Sequence, residues 1–164
     1  RNAKDSGLAW HVVRADEGGE GMGDSIAAGV RATPDANGWL IIPADLPLVR
    51  PTTLKSVAQA LEQRSHEVVL PFFDGRQGHP VAFSADCFAA LAALHGDKGA
   101  ASVVRDARAK NQTLELPVDD DGIVTDIDTI DDLAQAEKLL QLRKASPPLL
   151  SPAFPSPPTP QTAR

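Results

Sequence analysis

"WLIIPADLPLV", residues 39–49, runs four apolar residues into a lone carboxylate held between two prolines. Trp39 to Ile42 form a short apolar, β-prone run of the kind that is buried in a sheet. Pro43 ends it, and Pro47 stiffens the turn beyond Asp45. The strand therefore delivers Asp45 on a stiff turn at its carboxyl end. Asp beside Pro is also ordinary turn chemistry, in which Asp45 only caps the turn leading to Pro51. A second carboxylate is needed to decide between the two readings.

Outward from this strand, short apolar runs alternate with helical patterns. Strands are expected at "LAWHVV" (8–13), "WLII" (39–42), "EVVL" (67–70), "PVAF" (80–83), "TLELPV" (113–118) and "IVTDID" (123–128). Helices are expected to begin at Asp24, at Pro51 or Thr52, at Ser84, near Gly99 and at Thr129, several behind a capping residue. In "TIDDLAQAEKLLQL" Thr129 and Asp132 have capping-box spacing, and Leu133, Ala136, Leu139 and Leu140 form one apolar stripe. Strands alternating with helices are the pattern of βαβ units around a mostly parallel sheet, so the expected class is α/β. The expected domain covers residues 1–144. The remainder, 145–164, holds seven of the fourteen prolines and almost no charge, a composition that sustains neither helix nor ladder, and is expected to be a disordered tail.

A chain of 164 residues with 42% hydrophobic content can bury one substantial core. Its net charge of -6 argues against an electrostatic grip on nucleic acid or on an anionic membrane. An anionic ligand would need local help from a metal or a helix N-terminus. Cys87 is the only cysteine, which excludes an intrachain disulfide and fits a reducing cytoplasm. No stretch approaches the roughly 18–20 apolar residues of a membrane span.

The second carboxylate stands in "GIVTDIDTIDDL", where Asp126 and Asp128 are two apart and point the same way along an extended strand. Two carboxylates on one side repel unless something positive lies between them or one of them is protonated, and a divalent cation would serve. Hard oxygen ligands sharing Mg²⁺ with phosphate oxygens are the usual arrangement in nucleotide chemistry. Asp131 and Asp132 read instead as the acidic first turn of a helix, favoured by its macrodipole.

Together these stretches resemble the MobA-like nucleotidyltransferases, and within them the molybdenum-cofactor cytidylyltransferases. The matching pieces are "GMGDSIAAGV" (21–30), "PADLPLV" (43–49), "GHPVAF" (78–83), "GDKGA" (96–100) and "DIDTIDDL" (126–133), in the family's order. The resemblance implies a Rossmann-like, GT-A-like three-layer sandwich, Mg²⁺ (or Mn²⁺) as cofactor, and a nucleoside triphosphate as donor. It implies that Asp45 and Asp128, with Asp126, bind the metal, and that Gly21, Met22, Gly23 and Ser25, with Ala44 ahead of the aspartate, lie against the nucleotide. It places His79 and Lys98 at the acceptor. Read as residues alone, "GMG" is also an ordinary loop, His79 a turn residue and Lys98 a solvated lysine.

The reaction implied is transfer of CMP from CTP to molybdopterin cofactor with release of pyrophosphate, serving a molybdoenzyme or its chaperone. A guanylyltransferase, a sugar- or polyol-phosphate nucleotidyltransferase, and a noncatalytic cofactor-binding module are the alternatives. The family's "LAAGxSxRMG" loop is absent from these residues, and "EGGEG" (17–21) is too acidic to cradle a triphosphate. The expectation is a domain lacking its first βα unit, with little or no activity as this chain.

Overall fold

The computed structural model describes residues 21–145. The strand expected at 8–13 and the proline-rich stretch beyond Ala145 lie outside the described residues. Helix α1 (Met22–Ala32) opens with Asp24 Oδ2 accepting from the Gly21 N–H at 3.2 Å, so Asp24 is the third helical residue rather than the first. Strand β1 (Gly38–Ile41) follows, then α2 (Pro51–Glu62), with Pro51 at a first-turn position that needs no N–H partner. The chain continues through β2 (Val68–Phe73), β3 (Arg76–Gln77) and β4 (Val81–Ser84). A 3₁₀ turn at Ala85–Cys87 leads into α3 (Phe88–Ala92), followed by α4 (Ala101–Ala109) and β5 (Thr113–Pro117). A second 3₁₀ turn, Asp121–Val124, precedes α5 (Ile130–Ala145).

This is the expected α/β architecture, on a mixed sheet. Strand β4 lies between β1 and β2 and is antiparallel to both, while β5 pairs parallel with β2, so β1, β2 and β5 share one direction. The reversal is local in origin. Asp74 and Gly75, both at positive φ (47° and 73°), make the tight turn that folds β3 back on β2 and feeds β4.

Alternation along the strands sorts the core into two faces. Val68, Leu70, Val81 and Phe83 pack with Val30 of α1, Leu91 of α3 and Val103 of α4 on one side. Val69 and Ala82 pack with Val57, Ala60 and Leu61 of α2 on the other, with Leu114 and Leu116 of β5 against them. Helices therefore cover both faces.

Two expectations are corrected. "IVTDID" is not a strand: residues 121–124 turn as a 3₁₀ segment and 125–128 run on without sheet pairing. Its backbone is drawn instead onto the Asp45 loop, where the Ile127 N–H donates to the Asp45 carbonyl at 3.0 Å. The α5 stripe is only partly used, since Ala136 is buried but Leu133 and Leu140 are 48% and 42% exposed. The capping box of α5 is present as expected. Asp132 accepts from the Thr129 N–H (2.8 Å) and hydroxyl (2.7 Å), and its own N–H donates back to Thr129 Oγ1 at 3.2 Å.

Candidate functional site

Strands β1, β2 and β5 all end at one edge of the sheet, and the edge also receives the start of β4, because antiparallel pairing sets Ile41 opposite Val81. That register brings "GHP", immediately before β4, beside "PAD", immediately after β1. The loop after β5 closes the group, with the His79 N–H donating to the Ile123 carbonyl at 3.0 Å. Loops at the carboxyl edge of such a sheet are where α/β proteins bind ligands.

Two adjoining cavities occupy this edge. The smaller, about 210 Å³, is lined by Asp45, Asp126, Arg76, Gln77 and His79 among others. The larger, about 670 Å³, is mainly apolar and lies between α1, β1 and the turn before α4, with Met22, Ser25, Trp39, Ile41 and Lys98 in its wall. Pro43, Gln77 and His79 line both, so the acidic cleft and the apolar cavity are neighbours across one wall. The His79 Nδ1 is buried without a hydrogen-bond partner among the described residues. A buried polar atom of this kind costs stability unless a ligand or water satisfies it.

The residues expected from sequence divide between the two cavities. Asp45, Asp126 and His79 are together at the small one, and Met22, Ser25, Lys98 and His79 line the large one. Asp128, Ala44, Gly21 and Gly23 line neither. The two glycines have a packing task. A Cβ on Gly21 would stand 2.2 Å from the Gly96 carbonyl carbon, so only glycine allows α1 to start against the turn at 95–96. The Gly23 N–H donates to the Gly96 carbonyl at 2.7 Å, and Asp24 Oδ2 accepts from Gly96 N at 2.9 Å. With these N–H groups engaged, Met22 and Ser25 are the members of "GMGDS" that face the cavity. Arg76 and Gln77 were not singled out from sequence; the signal was the Asp74–Gly75 hairpin turn, which sends the residues after it back to the edge.

Among the described residues no cluster of three or more His, Cys, Asp or Glu side chains is placed to hold a metal ion. Two carboxylates from separate loops suit a hard divalent ion that keeps most positions for phosphate oxygens and water. Asp45 and Asp126 both line the small cavity. Cys87 has no part in the site: it is buried in the core, its Sγ 3.8 Å from the Glu67 carbonyl, and burial together with the Glu67 carboxylate pushes its thiol up. A thiol so held is a poor nucleophile.

Residues 2–113 match the family model of the MobA-like NTP transferase domain. The chain belongs to the MobA-like NTP transferase family. This MobA-like chain is 30% identical over 122 residues to the purine catabolism protein PucB of Bacillus subtilis (strain 168), a match covering 73% of the chain and 58% of PucB. Its fold is similar to the crystal structure of a Mycobacterium sp. strain JC1 homologue of Mycobacterium tuberculosis Rv0371c (TM-score 0.61, 26% identity, 76% of this chain and 62% of that one). It is likewise similar to Rv0371c of M. tuberculosis H37Rv crystallised in complex with manganese (TM-score 0.54, 32% identity, 68% of this chain and 58% of that one). The chain thus spans less than two thirds of the length of these relatives. The family is one of nucleotidyltransferases, and among the described residues no helix is long and apolar enough to cross a membrane.

Proposed function

We propose that this chain carries the metal and substrate cleft of a divalent-metal-dependent nucleotidyltransferase, with CTP as the favoured donor and a phosphate-bearing acceptor of the molybdopterin type. The observation that carries the proposal is the juxtaposition at His79: a cleft with two carboxylates on one side, a mainly apolar cavity of about 670 Å³ on the other. A nucleotide or pterin phosphate has these two parts, a flat ring and a charged phosphate.

In the reaction an acceptor phosphate oxygen forms a bond to the α-phosphorus of the triphosphate as the bond to the bridging oxygen breaks, and pyrophosphate leaves with that electron pair. Bound Mg²⁺ or Mn²⁺ supplies neutralisation of the charge on the phosphate oxygens. Asp45 and Asp126 would hold the ion, with Asp128 close behind in sequence. Met22, Ser25 and Trp39 offer a wall against which the ring is positioned, and His79 has a free ring nitrogen to meet a polar atom at the junction. Lys98 and Arg76 bring positive charge to the two cavities. The chain's contribution is placement and charge compensation rather than covalent chemistry. The manganese in the crystallised Rv0371c supports a divalent ion as the cofactor.

GTP is the competing donor, since a mainly apolar cavity wall would accept the flat ring of either base. The proposal is tested by binding of each nucleoside triphosphate with Mg²⁺ or Mn²⁺ to the chain and to Asp45→Ala.

A further inference from the structure

Among the described residues, the most completely satisfied buried charge is not in the cleft. Asp120, the middle of the three consecutive aspartates Asp119–Asp121, is 1% exposed. Its Oδ2 accepts from the Arg50 N–H at 2.8 Å and the Thr53 hydroxyl at 2.6 Å. Its Oδ1 accepts from the Gly122 N–H at 3.1 Å and lies 3.3 Å from Arg143 Nη2 and 3.6 Å from Arg50 Nε. Helix α2 has no side-chain cap of its own, and Asp120 supplies one from a distant loop, where the helix dipole favours a negative charge.

Arg143, in the last turn of α5, extends the arrangement. Its Nη1 donates to the Leu48 carbonyl at 2.6 Å, and its Nη2 donates to Asp120 and Asp121. One planar guanidinium thus clasps both loops that feed the cleft, the Leu46–Arg50 run behind Asp45 and the Asp120–Thr125 run ahead of Asp126. A fork of this shape suits two acceptors at once, which a lysine point charge does not. The loops are in close contact beneath it, since a Cβ on Gly122 would stand 2.3 Å from the Leu48 carbonyl oxygen.

We propose that Asp120 and Arg143 form a positioning latch that ties α5 to the two loops and holds Asp45 and Asp126 at one metal site. The metal half of this inference rests on the function proposed above; the latch itself does not. Neither residue lines either cavity, so neither is a ligand. In the C-terminal helix Ala136 is buried while Leu133 and Leu140 are exposed, so among the described residues this polar contact joins a small apolar one.

The test uses the whole chain and two variants, Arg143→Met, which keeps the apolar stem and leaves Asp120 bonded to Arg50, Thr53 and Gly122, and Asp120→Asn. Amide hydrogen exchange is followed at Ile127, whose N–H bridges to Asp45, and through β2, while Mn²⁺ binding is titrated by electron paramagnetic resonance. The expected result is about tenfold or faster exchange at Ile127 with β2 unchanged, and a Mn²⁺ Kd raised about tenfold, for both variants. Unchanged protection at Ile127 overturns the latch. Uniform acceleration through β2 marks a merely structural role and also overturns it, as does a loosened Ile127 with undiminished Mn²⁺ affinity. Wild-type chain that binds no Mn²⁺, or binding that Asp45→Ala leaves intact, overturns the metal site and the positioning role with it, while exchange at Ile127 still reports whether the loops are held.

Discussion

The Ile127 N–H donates to the carbonyl oxygen of Asp45 across 3.0 Å. This bond helps lay the loop after β5 along the loop after β1, and the side chain next to Ile127 in sequence, Asp126, comes to the cleft that Asp45 lines. Asp128, on the other side of Ile127, runs on into the capped start of α5.

Because Asp126 lines the cleft and Asp128 does not, the two carboxylates are expected to differ in their effect on metal binding. Asp126→Ala should weaken Mn²⁺ binding by about tenfold or more, equivalent to roughly 1.4 kcal/mol, and Asp128→Ala by less than about threefold. Titration of both variants alongside Asp45→Ala decides the ranking. Equal losses would return Asp128 to the metal site.

His79 should trade stability for binding. Its Nδ1 has no partner among the described residues, so His79→Leu removes an unsatisfied buried atom and is expected to leave the melting temperature unchanged or raised. The same substitution should weaken nucleotide binding, because the polar atom at the junction of the two cavities is gone. A lower melting temperature with intact binding would make His79 a structural residue only.

At the start of α1 the backbone leaves no room for a side chain. Gly21→Ala forces a methyl against the backbone of Gly96, where nothing flexible can give way, and should cost about 1–3 kcal/mol in denaturant unfolding. An unaffected midpoint would show that α1 and the 95–96 turn separate easily.

The cap of α5 gives a pH dependence of definite sign. Hydrogen bonds from the Thr129 side chain and then its backbone N–H lower the Asp132 pKa. A depressed folded-state pKa contributes stability that is present above the unfolded value and is lost as pH falls through the folded one. Wild-type chain should therefore lose stability relative to Asp132→Asn as pH is lowered from about 5 to 2. Parallel curves for the two proteins would show that the cap contributes nothing.

Much of the fold was legible because its signals are local. Apolar runs located β1, β2, β4 and β5, Pro51 marked the first turn of α2, and Thr129 with Asp132 announced the cap of α5. The antiparallel β4 is also a local matter, since Asp74–Gly75 is a hairpin turn, but two residues of β3 make too short a run to notice. The features that escaped depend on long-range bonds. "IVTDID" alternates as a strand does, yet its N–H at Ile127 found the Asp45 carbonyl instead of a neighbouring strand. Asp120 looks like its exposed neighbours in sequence, and only Arg50, Thr53 and Arg143, all remote from it, make it a buried hub. The candidate site was half visible: Asp45, Asp126, His79, Met22, Ser25 and Lys98 line the two cavities at the sheet edge, whereas Arg76 and Gln77 are brought there by the Asp74–Gly75 hairpin and Trp39 by the pairing of β1 with β4.

The central claim is that two carboxylates and an adjoining apolar cavity bind a metal-bound nucleoside triphosphate. Its most direct test is the thermal unfolding of the chain with Mg²⁺ and, in turn, CTP, GTP, ATP and UTP, repeated on Asp45→Ala. Ligand at about a hundred times its Kd adds roughly 2.7 kcal/mol, which a melting curve resolves. The predicted result is a metal-dependent rise in melting temperature, largest with CTP and lost in Asp45→Ala; no shift with any nucleotide, or one that survives without metal and in the variant, would contradict the claim.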